Sequence, residues 1–205
     1  MSTSSGDGYH HGDLRSALLR AAMELLEEGS ETFSLRAVAR RAGVSAAAPY
    51  RHYADKDALE SAVAAEGFRD LKEDLARAVT APTSVSDLAE LGLAYVRFAL
   101  RRPAVFRRMF GHTCDDSSAQ RVQAAAEVQD LVSAAVASVF PEANAPALAT
   151  AGWSLVHGLA FLHLDGKLPA DHSEEMSTRV RSSIEAILTV GGEGAARRAE
   201  SPASP

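Results

Sequence analysis

Ser34–Lys56 reads SLRAVARRAGVSAAAPYRHYADK, and this stretch decides the fold. Ser34 can cap a short helix carrying Leu35, Val38 and Ala39. Ala39 is small enough for a following helix to approach closely. Gly43, four residues on, supplies the permissive backbone that a tight turn needs. Ser45 can then cap a third helix running through Tyr53. Val38, Val44 and Pro49 provide apolar contact between the two segments. The pattern meets the physical requirements of a helix-turn-helix, in which the second helix projects its N-terminal residues into a major groove.

Charge coincides with this pattern. Between Thr32 and Lys56, five basic residues (Arg36, Arg40, Arg41, Arg51, Lys56) face one acid, Asp55, with His52 also available. The window therefore carries +4, leaving −10 for the rest of a chain whose total is −6. A solvated helical face also collects arginines, but a basic spot on an acidic body marks a DNA-binding head on a body that does not bind DNA. The sequence pI of 5.6 excludes a uniformly basic protein that coats nucleic acid or anionic membrane.

Working outward, the 205 residues read as all-α. Leu14, Ala17, Leu18, Ala21, Leu25 and Leu26 form one apolar stripe, and Gly29 ends that helix. Asp55 can cap a long helix towards Val79. Thr80–Ser84 is a connection, and Ser84 with Asp87 gives a capping signal for the next helix. A short helix starts at Pro103 and ends by Phe110. Gly111–Ser118 reads as a polar loop. Helices follow over about 120–140, 146–164 and 173–190. No alternating apolar–polar run suggests a strand. The expected organisation is an arm at 1–12, a DNA-binding domain at 13–58, a helical body at 59–190 and a disordered tail at 191–205.

Hydrophobic residues make up 46% of the chain, enough for a real core. The single cysteine, Cys114, excludes an intramolecular disulfide and fits a reducing cytoplasm. Residues 1–13 lack the apolar core of a signal peptide. Ala143–Leu164 has no charged side chain and is long enough to span a bilayer. Its Asn, Pro, Thr, Ser and His content, with many Ala and Gly, favours a buried or subunit-interface helix and no membrane partner.

The spacing of Ala39, Gly43, Val44, Tyr50, His52, Tyr53 and Lys56, behind a leading amphipathic helix, resembles the tetracycline-repressor (TetR) family of transcriptional regulators. The resemblance covers about residues 13–60. Trp153, His157 and Gly158 look like the Trp-x-x-x-His-Gly pattern of one subgroup of TetR-type C-terminal domains. The resemblance implies a cytoplasmic, ligand-responsive repressor that binds an inverted-repeat DNA operator as a homodimer, with no cofactor.

The resemblance assigns Arg36 to a base-reading position, where a guanidinium can bond a guanine edge twice. Tyr50 and His52 match phosphate-contacting positions, and Lys56 matches the lysine at the start of the fourth helix. Ser34 belongs to the same DNA-facing set. Ser45, Ala46 and Ala47 match the groove-facing start of the recognition helix, with Arg51 nearby. His10, His11 and Arg15 are open to a contact role or to none. Two departures stand out. Ala46–Ala48 offer only methyl groups. Pro49 removes a backbone donor and is expected to hold Ala48 away from α geometry.

In the body, the resemblance implies a small-molecule pocket. Tyr95, Phe98, Met109, Phe110, Trp153 and His157 are the candidate effector-binding residues, although core packing explains most aromatics equally well. Trp153 and His157 lie one helical turn apart, so a ring and an imidazole could line one wall. Met176, Val180, Ile184 and Ile187 recur at helical spacing. With the 146–164 helix, they are expected to pair across a two-fold axis.

The alternative is a helical small-molecule-binding or metal-dependent protein without DNA regulation. It rests on His112, Cys114, Asp115 and Asp116, or on His157, His163, Asp165 and His172. Neither spacing is a defined metal motif, and no catalytic signature is present, so neither a metal site nor an enzyme is expected.

Overall fold

α1 (His11–Glu27) forms because the Leu18, Ala21, Ala22, Leu25 and Leu26 stripe is buried along one face. Each such leucine contributes about 1.5–3 kcal/mol. The computed structural model describes residues 11–29, 33–111, 118–169 and 174–199, with side chains except at 11–13 and 190–199. Gly29 stops α1 at φ +68°, the left-handed conformation that glycine adopts without strain. α2 (Leu35–Arg41) is capped by the Ser34 hydroxyl, which accepts from Ala37 N–H at 3.2 Å. Then come a 3₁₀ turn (Pro49–Arg51), α3 (Lys56–Ala78), α4 (Val85–Arg101), α5 (Pro103–Met109), α6 (Ala119–Val139), α7 (Ala145–Leu164) and α8 (Glu174–Ala199). Among the described residues there is no strand.

The chain forms two compact units. One comprises the described residues up to Gly67 together with those of Ala104–Gln123, and the other runs from Phe68 to Pro103 and onward from Ala124. α5, placed in the body by sequence, thus belongs with the helix-turn-helix. Gly67 shows why: a Cβ there would lie 2.8 Å from Met109 Sδ and 2.9 Å from Val105 Cγ1. Buried Val105 and Met109 fill the space that this glycine leaves.

In the second unit α4 is the central helix and packs on α7 and α8. Its start carries the expected capping signal as a full capping box. The Ser84 hydroxyl accepts from Asp87 N–H at 3.2 Å, and an Asp87 carboxylate oxygen accepts from Ser84 N–H at 3.0 Å. The bond that Thr83 N–H donates to the same carboxylate at 2.9 Å, with those from the Ser84 hydroxyl and N–H, holds the Asp87 carboxyl below its ordinary pKa.

Four expectations are corrected. The third helix, read from Ser45 to Tyr53, is a turn followed by the three-residue 3₁₀ segment. Pro49 has no N–H to return to the Ser45 carbonyl, which accepts from Ala48 N–H instead, at 3.0 Å. Ala48 nevertheless sits at φ −62°, ψ −42°, so the proline does not hold it away from α geometry. The tail read as disordered from Gly191 is helical to Ala199, where Ala195–Ala199 are good helix formers. The set expected to pair across a two-fold axis divides: Met176, Val180 and Ile184 are buried within the protomer, and Ile187 is 53% exposed.

α7 has a mean hydropathy of 1.3 over its most apolar window, so by length and composition it could cross a membrane. Only 28% of that window is buried in the protomer. Leu162 and Trp153 are among its exposed apolar residues.

Candidate nucleic-acid interface

The head presents its basic side chains on α2 and on the Ala46–Arg51 turn. Gly43, at φ +69°, reverses the chain between them, and Val44 N–H donates to the Ala39 carbonyl at 3.0 Å. Ala39 and Val38 are fully buried and Pro49 is buried, so the turn is pinned from beneath. Above that floor Arg36, Arg40, Ser45, Ala46, Ala47, Tyr50, Arg51 and Lys56 are exposed, with Ser34, Ala48 and His52 partly so. Arg36, Arg40 and Arg51 make no ion pair among the described residues.

Three other cations of the head, Arg41, Lys56 and Arg15, are engaged. Arg41 is gripped by Glu28, at 2.8 Å for one contact, and lies 3.4 Å from Glu24. The hydrogen bond from Arg41 holds the Glu28 carboxyl below its ordinary range, against a small opposing cost of burial. Lys56 lies 3.4 Å from Glu60, which is buried and also pairs with Arg108 of α5. Asp55 caps α3 by accepting from Ala58 N–H at 2.8 Å, which places Lys56 in the first turn, where the helix dipole adds to its charge. Tyr53 latches α1: its ring is buried, its hydroxyl donates to the Arg15 carbonyl at 3.4 Å, and the Arg15 guanidinium lies over the ring. Burial pushes the Tyr53 phenol up. His10 lies outside the described residues, as does the side chain of His11.

The candidate effector residues do not come together as one set. Tyr95, Trp153 and His157 meet in the second unit. Trp153 Nε1–H donates to Tyr95 Oη at 3.3 Å, and Tyr95 Oη lies 2.9 Å from His157 Nδ1. Tyr95 Oη thus ties the two α7 rings together, accepting from Trp153 and sharing one hydrogen bond with the imidazole. Burial lowers the His157 pKa, which favours the neutral imidazole, and raises that of Tyr95. Phe161 stacks edge-on against His157 at 4.9 Å, an aromatic partner that the i, i+4 spacing on α7 makes readable. Phe98 is fully buried, while Met109 and Phe110 belong to the unit that holds the head. Among the described residues, no group of three His, Cys, Asp or Glu side chains is placed to hold a metal. The His112–Asp116 cluster and His172 lie outside them.

A small helical head with a glycine turn and an unneutralised arginine row, joined to an all-helical body, defines a DNA-binding regulator class. Residues 18–63 match "Bacterial regulatory proteins, tetR family", and residues 88–187 match "Tetracyclin repressor-like, C-terminal domain". The chain belongs to the TetR family: it is a DNA-binding transcription regulator, not an enzyme. Among solved structures it is similar to a protein of unknown function from Rhodococcus sp. RHA1. That match has 34% identity and a TM-score of 0.74, over 88% of this chain and 98% of that one. A TetR family transcription regulator from Marinobacter aquaeolei VT8 shares the fold at 20% identity and TM-score 0.59, over 84% and 93%. So does the TetR family regulator PfmR from Thermus thermophilus, at 19% identity and TM-score 0.59, over 84% and 97%. Comparison with curated protein sequences gives no match.

Proposed function

We propose that this regulator is a cytoplasmic, ligand-responsive repressor that binds an inverted-repeat operator as a homodimer. The observation that carries the reading is the exposed row of Arg36, Arg40 and Arg51 without counter-charge, on a chain of net charge −6. Arg36 reads a base edge in the major groove. Tyr50, His52 and Lys56 bind phosphates and set the register, and Ser34 closes that contact surface at the start of α2. Ser45, Ala46 and Ala47 form a low wall that lets the backbone approach the bases, with methyl groups suited to thymine. Arg51 adds a base or phosphate contact beside them.

The Tyr95–Trp153–His157 cluster is the effector site in this reading, which takes the chain to be of the Trp-x-x-x-His-Gly subgroup. An effector releases DNA only by binding one spacing of the two heads more tightly than the other. The exposed face of α7, with α8 beside it, forms the two-fold interface and sets two heads on half-sites about 34–36 Å apart.

The test is selection of bound sequences from a random duplex library with the purified full chain at near-physiological salt. An inverted repeat is the expected product. A folded, dimeric sample that enriches no sequence overturns the reading. The steep loss of binding with added salt that phosphate neutralisation requires is a second readout.

A further inference from the structure

α4 carries a second, charged face with a use of its own. Glu90, Ala94, Arg97 and Arg101 recur at spacings of four, three and four, which is one side of a helix. With Asp74 and Arg77 of α3 they line an open groove of about 530 Å³, in the range of small-molecule sites. The groove's two acids are already engaged. Asp74 pairs with Arg77 at 3.0 Å and with Arg101, and Glu90 pairs with Arg181 at 2.5 Å. Arg97 differs. Its guanidinium is half-buried and donates to the hydroxyl of buried Ser177 at 3.0 Å, and it has no carboxylate partner among the described residues. Ser177 takes one N–H of the fork, and the others have no carboxylate within ion-pair distance among the described residues.

A half-buried cation without a counter-ion is costly to hold, and a planar guanidinium is matched to a planar or tetrahedral oxyanion. We propose that this groove binds a small ligand through one oxyanion head, a carboxylate or a phosphate, seated on Arg97. Arg97 stands two residues from Tyr95, on a different side of α4, so the site is distinct from the aromatic cluster. The inference goes beyond the proposed repressor function and does not depend on it.

The experiment is titration of the full chain with succinate or inorganic phosphate at constant ionic strength, read by thermal melting and calorimetry, with sodium chloride as the reference. A saturable rise in Tm with either probe, absent with chloride, is expected. Succinate alone identifies a carboxylate ligand, phosphate alone a phosphorylated one. Arg97→Gln is expected to weaken binding at least tenfold. Ala94→Glu keeps Arg97 but places a tethered carboxylate one turn away in the groove, and it too is expected to abolish the response. It decides the matter if Arg97→Gln does not fold. No saturable response to either probe, or a response unchanged in the folded variants, overturns the proposal.

Discussion

Arg36 and Arg41 lie five residues apart on one short helix, yet their surroundings assign them different work. Arg41 spends its fork on Glu28 and Glu24, while Arg36 is exposed and makes no ion pair among the described residues. Arg36→Ala is therefore expected to cost about 1–3 kcal/mol at one base position and to relax preference there. Arg41→Ala should leave the preferred sequence unchanged. Binding to a panel of single-base operator variants separates the two, and an unaltered motif with Arg36→Ala removes its base-reading role. His157 gives a residue-scale prediction of another kind. Its Nδ1 lies 2.9 Å from Tyr95 Oη, and burial holds its pKa below the ordinary value of about 6.5. The folded chain therefore binds that proton less readily than the unfolded chain. Stability conferred by this site is complete above about pH 6.5, falls as pH drops towards the lowered folded value, and changes no further below it. The drop in Tm between pH 7.5 and 5.5 is expected to shrink in His157→Gln. An equal drop in both proteins would show that His157 carries none of the acid sensitivity.

At the scale of elements, glycines separate what the sequence shows from what it hides. Gly43 was legible because a turn between two periodic segments needs a left-handed residue, and the structure gives it φ +69°. Gly92 was not legible: it sits inside α4, and only the fold shows that its missing side chain admits α7 and α8. A Cβ there would lie 2.2 Å from Ile184 Cδ1 and 2.9 Å from Val156 Cγ1. Gly92→Ala should cost about 1–3 kcal/mol by overpacking, although alanine is the better helix former. Chemical denaturation would read it, and a stabilised variant would mean that Ile184 moves aside freely. The same limit explains the other differences. Helix periods were readable from apolar spacing and caps, as with Ser84 and Asp87. The partner of α5 was not, because Val105 and Met109 show that they need burial but not against which helix. In the recognition segment the disturbance by Pro49 was legible, but its cap and length suggested a helix to Tyr53 where the missing N–H leaves a turn and a 3₁₀ segment. Exposure of the DNA-facing residues could be anticipated from charge and turn. The i, i+4 spacing of Lys56 and Glu60 on α3 was readable too, but the pairing of Glu60 with Arg108, far along the chain, was not.

For the whole molecule the question is what covers α7. Between exposed Trp153 and Leu162 runs a strip of small groups: Ala147, Ala151, Ser154 and Gly158 recur at helical spacing and are all exposed. Thr150 and Ser154 turn their hydroxyls onto their own helix, donating to the carbonyls of Pro146 and Thr150 at 2.9 and 2.8 Å. The face therefore asks for few outside hydrogen bonds while remaining low enough for a second helix to approach closely. In the proposed dimer, Gly158 lies at that approach. Within the protomer a Cβ on Gly158 meets nothing within 4 Å. Gly158→Glu should thus leave the protomer fold intact, and should favour helix by about 0.5–1 kcal/mol. Across a two-fold interface it would instead place two bulky charges where the backbones meet. Wild-type protein is expected to sediment at twice its 21.6 kDa chain mass and Gly158→Glu at the single-chain mass, with unchanged helical content. Operator affinity should fall roughly 10²- to 10⁴-fold, because two heads no longer share one effective concentration, while binding to an isolated half-site stays the same. Gly158→Ala, which adds only a methyl group, should remain dimeric. A Gly158→Glu protein that still sediments as a dimer and binds the full operator unchanged would move the two-fold interface away from α7.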